Sequence, residues 1–93
     1  MSNILPRLKT EFQQWIGQIP HEDYARIRFL IMDKCGVSRT TFASWLRGDT
    51  SPDLDKRVTI TVIAYRYNDE VLPFKNIVVS HDEEGEIQVI VKK

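Results

Sequence analysis

Residues 28–48 read RFLIMDKCGVSRTTFASWLRG, and their local chemistry predicts two helices joined by a tight turn. Gly36 follows an apolar helix end at Cys35, where a left-handed residue stops a helix and turns the chain sharply. Two residues later, Ser38 is placed to cap a new helix. Gly48 then ends that second helix, so the order helix, glycine turn and helix follows from the residues themselves.

The short helix after the turn has two chemically different sides. Val37 before the cap and Phe42 at the fourth helical position suit a hydrophobic staple, which fixes the angle at which this helix leaves the turn. The apolar side consists of Phe42, Trp45 and Leu46. The other side is small, polar and basic, and consists of Arg39, Thr40, Ala43, Ser44 and Arg47. No carboxylate stands between Ser38 and Gly48, and arginines, hydroxyls and a methyl group are the partners that base edges in the major groove accept.

This pattern resembles the helix-turn-helix of the lambda-repressor and Cro-like family, over about residues 24–67. The matching positions are the turn glycine Gly36, the aliphatic Val37, the mid-helix Phe42, and Trp45-Leu46-Arg47-Gly48 followed by Pro52, which is similar to the family's W-x-x-G…P ending. The chain departs from the family at Met32, where a small residue is usual, and at Trp45, where the usual residue is small or aliphatic.

The resemblance implies sequence-specific binding of double-stranded DNA by a small transcriptional regulator, with residues 38–47 in the major groove. Carried over position by position, the base-reading roles fall on Ser38, Arg39, Thr40, Ala43 and Ser44. The phosphate-contacting roles fall on Arg28, near the start of the first motif helix, and on Arg47, Thr50 and Ser51. Arg28 also lies near the apolar arc of its own helix, so an internal ion pair is the alternative for that residue.

Apolar periodicity predicts two helices before the turn. The first carries a stripe of Leu5, Leu8, Phe12, Trp15, Ile16 and Ile19, with Pro6 in its first turn and Gly17 at its end. The second runs from about His21 to Cys35 and is apolar around much of its circumference. Such a helix is either central to the fold or in contact with a second subunit.

A fourth helix is predicted from Ser51, as N-cap, and Pro52, at the first helical position, to about Tyr67. Residues 58–62, VTITV, alternate in a way that is typical of a strand. The helical spacing of Ile60, Ile63, Ala64 and Tyr67 favours the helix.

The C-terminal tail changes character. Two β-branched runs, residues 76–80 and 86–92, flank the turn residues 82–85 and predict a hairpin. An isolated hairpin is marginal in water, so this one packs on the helices or on its counterpart in a second chain. Its apolar residues make it the candidate contact of a homodimer, namely Ile77, Val79, Ile87, Val89 and Val91. The expected fold is therefore mainly α, a four-helix lambda-repressor-like domain over residues 1–70 with a β-hairpin extension over residues 71–93.

Length and charge limit the number of domains and the classes of function that the chain can have. The 93 residues suffice for one domain, and 13 basic residues balance 13 acidic ones. Residues 1–48 hold seven basic and four acidic residues, whereas residues 68–93 hold three basic and six acidic ones, so these two segments carry +3 and −3. The neutral total supports an alternative, a protein-interaction module on the same fold whose acidic tail engages another regulator; the carboxylate-free face opposes it.

Other chemistries have no residue pattern to support them. The single Cys35 has no disulfide partner and no metal-spacing companions. The resemblance places it where the family has a buried aliphatic residue, which implies a packed thiol. Phosphate-binding glycine loops, nucleophile elbows and paired carboxylates are missing from the sequence, so we expect neither an enzyme, a metal site nor a cofactor. Without a signal-peptide pattern or a long apolar run, a cytoplasmic location is the expectation.

Overall fold

A computed structural model describes residues 9–92 as a mainly helical domain with a C-terminal two-stranded antiparallel hairpin. The elements are α1 (Glu11–Ile16), α2 (His21–Cys35), α3 (Arg39–Arg47), α4 (Leu54–Tyr67), β1 (Ile77–His81) and β2 (Ile87–Val91). The prediction of four helices followed by a hairpin is confirmed. No helix in the described range is long and apolar enough to cross a membrane.

Helix α1 begins with a capping box. The Thr10 hydroxyl accepts from the Gln13 backbone amide at 3.1 Å, and the Gln13 side-chain oxygen accepts from the Thr10 amide at 2.8 Å. The helix buries Phe12, Trp15 and Ile16 and ends at Gly17, as predicted. Its predicted start near Pro6 is wrong, because Thr10 is extended and caps a helix that begins at Glu11. The earlier part of the predicted stripe, Leu5, Pro6 and Leu8, lies outside the described residues.

The turn between α2 and α3 follows the sequence prediction closely. Gly36 has a φ of 65°, and the amides of Gly36 and Val37 donate to the carbonyls of Asp33 and Met32. This pair of bonds is the Schellman arrangement, which satisfies carbonyls that a helix end otherwise leaves open. Ser38 caps α3, since its hydroxyl accepts from the Thr41 amide.

The predicted start of α4 is wrong by two residues. Asp53, and not Ser51, is the N-cap, because its carboxylate accepts from the Lys56 amide at 3.0 Å and so satisfies an open amide of the first turn. Pro52 therefore precedes the cap and is buried, while its carbonyl accepts from Arg57 Nε at 2.8 Å. Ser51 is exposed in the loop.

Residues 58–62 are helical, so the strand interpretation of their alternation is wrong. The hydroxyls of Thr59 and Thr61 donate to the carbonyls four residues earlier, at 3.2 and 2.7 Å, and Thr61 is fully buried. Those bonds let β-branched threonines lie in a helix without an unsatisfied hydroxyl. Ile60 and Ala64 are also fully buried, which explains why the 3.6-residue period prevails over the local alternation.

Helices α2 and α4 lie antiparallel at the centre of the fold. The Tyr67 hydroxyl, at the end of α4, donates to Asp23 at 2.6 Å near the start of α2. At the opposite ends the Cys35 thiol contacts the Lys56 carbonyl at 3.8 Å. Ile27 and Ile31 of α2 are buried, which supports the interpretation of α2 as a central helix.

Cys35 is a packed thiol, as the sequence predicts. It is half-buried, and burial raises its pKa above the ordinary value of a cysteine. Within residues 9–92, no three His, Cys, Asp or Glu side chains are grouped as the ligands of a metal ion.

The hairpin packs on the helices of its own chain. Ile77 pairs with Val91 and Val79 pairs with Val89, so these four side chains share one face. Ile77 is fully buried and Val89 packs against the core, and the Phe74 ring before β1 lies under the Arg57 guanidinium at 5.3 Å. Much of the apolar surface that suggested a dimer contact is therefore covered within one chain.

Candidate nucleic-acid interface

The inward side of α3 is fixed by an aromatic cluster. Phe42 and Trp45 are only 2% and 3% exposed, and each ring lies edge-on to Phe12 of α1 with centroids 5.9 Å apart. Edge-to-face pairs of buried rings add specific geometry to the burial of apolar surface. Trp45, the departure from the family pattern, is thus part of the core, and α3 turns its opposite side away from it.

A side chain from α1 holds the last turn of α3. Gln13 Nε2 donates to the Leu46 carbonyl at 2.8 Å, while its oxygen is occupied by the Thr10 amide. At Gly48, where φ is 79°, an added Cβ would lie 3.0 to 3.2 Å from the Gln13 side-chain amide. Sequence reasoning missed Gln13 as a positioning residue; the spacing T-x-x-Q marks it as part of a capping box but does not report its bond to Leu46.

The predicted base-reading residues lie on one side of α3, in two layers. Ser38, Arg39 and Thr40 are exposed at its N-terminal end, whereas Ala43 and Ser44 are half-buried one turn later. The Ser38 hydroxyl is already engaged, since it accepts from the Thr41 amide at 3.2 Å and donates to the Thr41 hydroxyl at 3.3 Å. Within residues 9–92 the side chains of Arg39 and Thr40 make no hydrogen bond or ion pair, so both are available to a ligand.

The structure joins a predicted base-reading residue to a predicted phosphate-contacting one. Ser44 and Thr50 share a hydrogen bond of 2.8 Å between their hydroxyls. Thr50 and Ser51 are exposed in the loop that follows α3. The loop is therefore held against the second turn of the helix, and hydroxyls of both segments lie on one continuous surface.

Arg47 is held by a carboxylate that lies just beyond α3. Its Nε donates to Asp49 Oδ2 at 2.9 Å, and its side chain remains 60% exposed. Asp49 lies directly after Gly48, where the carboxylate-free stretch of sequence ends. A phosphate that binds Arg47 has to compete with this ion pair.

Arg28 occupies a different place from the one predicted. Because α2 is a single helix of 15 residues that begins at His21, Arg28 lies in its middle and not near its start. The positive end of the helix dipole, which favours phosphates, is two turns away. Arg28 is half-buried and makes no ion pair within residues 9–92, so the structure shows no internal partner for it.

Comparison of the chain with protein-family models, curated proteins and solved structures finds no match.

Proposed function

We propose that this protein is a sequence-specific double-stranded DNA-binding regulator with a lambda-repressor-like helix-turn-helix, in which α2 and α3 form the motif and α3 enters the major groove. The observation that carries the proposal is the two-sided character of α3. Its aromatic side is buried against Phe12. Its outer side contains no acidic residue of α3 itself, although Asp49 from the following loop pairs with Arg47, and it presents Arg39 and Thr40 without partners within residues 9–92. A rigidly held helix with small, polar and basic groups outward is suited to reading base edges.

In this proposal each residue contacts the group on DNA that its side-chain chemistry suits. Arg39 pairs with the N7 and O6 acceptors of a guanine, and Thr40 bonds a neighbouring base edge. The Ala43 methyl group meets a thymine methyl, while Ser38 and Ser44 contribute hydroxyl oxygens that also cap and brace the helix. Phosphates are bound by Arg47, Thr50 and Ser51, and the Ser44–Thr50 bond keeps the phosphate-binding loop in register with the base-reading helix.

We also propose that two copies bind together, because one short recognition helix reads few bases and paired half-sites multiply specificity. The hairpin is the proposed contact. Ile90 and Val91 of β2 remain 47% and 39% exposed, and both strands have an edge that is unpaired within the described residues. Pairing of β2 with its counterpart across a two-fold axis satisfies the unpaired edge of the strand and brings the exposed Ile90 and Val91 next to the second chain. Light scattering that shows a monomer at high protein concentration contradicts this contact.

Selection from a random duplex pool tests the DNA proposal. We expect an inverted repeat to be enriched, and Arg39→Ala to lose preference for it while the thermal transition is unchanged. Arg66→Ala is the matched control, since Arg66 is an exposed arginine on α4 that lies outside the α3 surface. If no sequence is enriched even at low salt, the DNA proposal fails and the protein-interaction module becomes the better account.

A further inference from the structure

An apolar groove runs between α2 and α4, apart from the proposed DNA surface. It encloses about 440 Å³, and its apolar lining consists of Ile27, Leu30, Val58, Val62 and Ile63. Ile27 is buried and the other four are half-buried, so the groove exposes aliphatic side chains along two adjacent helices. None of its lining residues belongs to α3.

The charged residues that line this groove all have one sign. Arg26, Lys34 and Arg66 line it, and no carboxylate does. Because α2 and α4 are antiparallel, Arg26 and Arg66 lie at one end, where the Arg26 guanidinium is 5.8 Å from the centre of the Tyr67 ring. Lys34 lies at the other end, eight residues along α2, which corresponds to about 12 Å. Arg26 forms an ion pair with Asp23 at 3.6 Å, whereas Lys34 and Arg66 make no ion pair within residues 9–92.

This arrangement decides between possible occupants. A second copy that stacks the same face onto this one brings Arg26, Lys34 and Arg66 against their own counterparts, which like-charge repulsion disfavours. A molecule with a single anionic head satisfies one end of the groove and leaves the other cationic. A helix of about eight residues between two acidic ends spans both, with an apolar stripe at three- and four-residue steps over the aliphatic floor.

We propose that the groove between α2 and α4 binds an acidic amphipathic helix of a partner protein. The aliphatic floor takes its apolar stripe, and Lys34 and Arg66 pair with carboxylates at its two ends. The bound helix completes a three-helix layer with α2 and α4. Since α3 contributes nothing to the groove, the partner and the proposed DNA site occupy separate surfaces, and this inference does not depend on DNA binding.

A defined peptide tests the proposal directly. The probe is a 16-residue, end-capped helical peptide with leucines on one stripe and glutamates elsewhere. One control peptide replaces every glutamate by lysine, and a second replaces every leucine by glutamine. In amide-resolved nuclear magnetic resonance spectra of the ¹⁵N-labelled protein, we expect the acidic peptide to shift Leu30, Val62 and Ile63, and neither control to do so.

Charge reversal supplies the second arm. Lys34→Glu with Arg66→Glu is expected to weaken binding of the acidic peptide by about tenfold or more. Raised salt is expected to weaken binding of the acidic peptide to the wild-type protein. Lys75→Glu with Lys92→Glu, at two exposed lysines that line neither the groove nor the α3 surface, is the matched control and is expected to leave the affinity for the peptide unchanged. Circular dichroism melting verifies that each variant is folded.

Several results overturn the proposal. These are no shift of the groove amides at 1 mM peptide, about equal binding of the lysine peptide, or undiminished binding to the folded double variant. If decanoate saturates the shifts of the groove amides and the acidic peptide causes none, the groove binds a small amphiphile. Loss of self-association in the charge-reversed variant assigns it to a second copy, and both outcomes refute the partner-helix proposal.

Discussion

The two left-handed glycines that bound α3 provide a matched pair of substitutions. Gly36→Ala and Gly48→Ala place the same methyl group at φ values of 65° and 79°. At Gly36 the new Cβ has no atom within 4 Å, whereas at Gly48 it lies 3.0 Å from Gln13 Oε1 and 3.1 Å from Nε2. The first substitution therefore tests the cost of the backbone conformation alone. The second tests that cost together with the two hydrogen bonds of the Gln13 side chain, to the Thr10 amide and the Leu46 carbonyl.

The magnitudes follow from these contacts. A non-glycine residue in the left-handed region costs about 1–2 kcal/mol, which applies to both positions. At Gly48 the Gln13 amide must also move by several tenths of an ångström, and its two bonds of 2.8 Å hold it in place. Each such bond contributes about 1 kcal/mol, so weakening them adds roughly 1 kcal/mol at Gly48. We expect Gly48→Ala to melt about 4–8 °C below Gly36→Ala.

A double-mutant cycle isolates the contribution of the Gln13 side chain. In a Gln13→Ala background the collision at Gly48 disappears, so the additional destabilisation of Gly48→Ala over Gly36→Ala is expected to vanish. Urea unfolding measures the free energy of each variant. Equal destabilisation by the two glycine substitutions in the wild-type background, or an unchanged difference without Gln13, refutes the role assigned to this side chain.

Three further predictions concern stability and reactivity. Phe12→Ala removes the centre of the aromatic cluster and is expected to reduce the unfolding free energy by about 3–5 kcal/mol. Phe29→Ala, at a side chain that is 68% exposed, is expected to change it by less than about 0.5 kcal/mol. Urea unfolding measures both variants. Hydrogen bonds from the amide and the ammonium group of Lys56 lower the pKa of Asp53, so its stabilisation holds above the ordinary pKa of about 4 and is lost as the pH falls through the lower folded value. The difference in melting temperature between the wild type and Asp53→Asn is therefore expected to shrink in acid, and a constant difference contradicts this. Because burial raises the pKa of Cys35, iodoacetamide at pH 8 is expected to react more slowly than with the urea-unfolded chain, and equal rates contradict a packed thiol.

Local chemistry made the region around α3 predictable from sequence. Gly36, Ser38 and Gly48 each act through their own backbone or a hydroxyl within three residues, so their roles need no knowledge of the rest of the fold. The same holds for the aromatic side of α3, since Phe42 and Trp45 lie on the wheel where the core must be.

The features that the sequence left open depend on competition or on distant contacts. Ser51 and Asp53 are both residue types that cap helices; in the structure Asp53 is the cap, and Pro52 is buried directly before it. The Gln13 bond to Leu46 joins residues 33 positions apart, which no local pattern reports. The packing of Ile77 on the helices likewise needed the tertiary structure, and it changes how much of the hairpin is left for a second subunit.

We propose that the outer side of α3 reads base pairs and that Arg47 binds a phosphate. Fluorescence anisotropy on the selected duplex and on a full set of single-base-pair changes, at several salt concentrations, tests it most directly. We expect Arg39→Ala to abolish discrimination at one base pair, worth about 1–3 kcal/mol, and Arg47→Ala to weaken all duplexes alike and to reduce the salt slope by about 1. Full discrimination retained by a folded Arg39→Ala protein contradicts the claim.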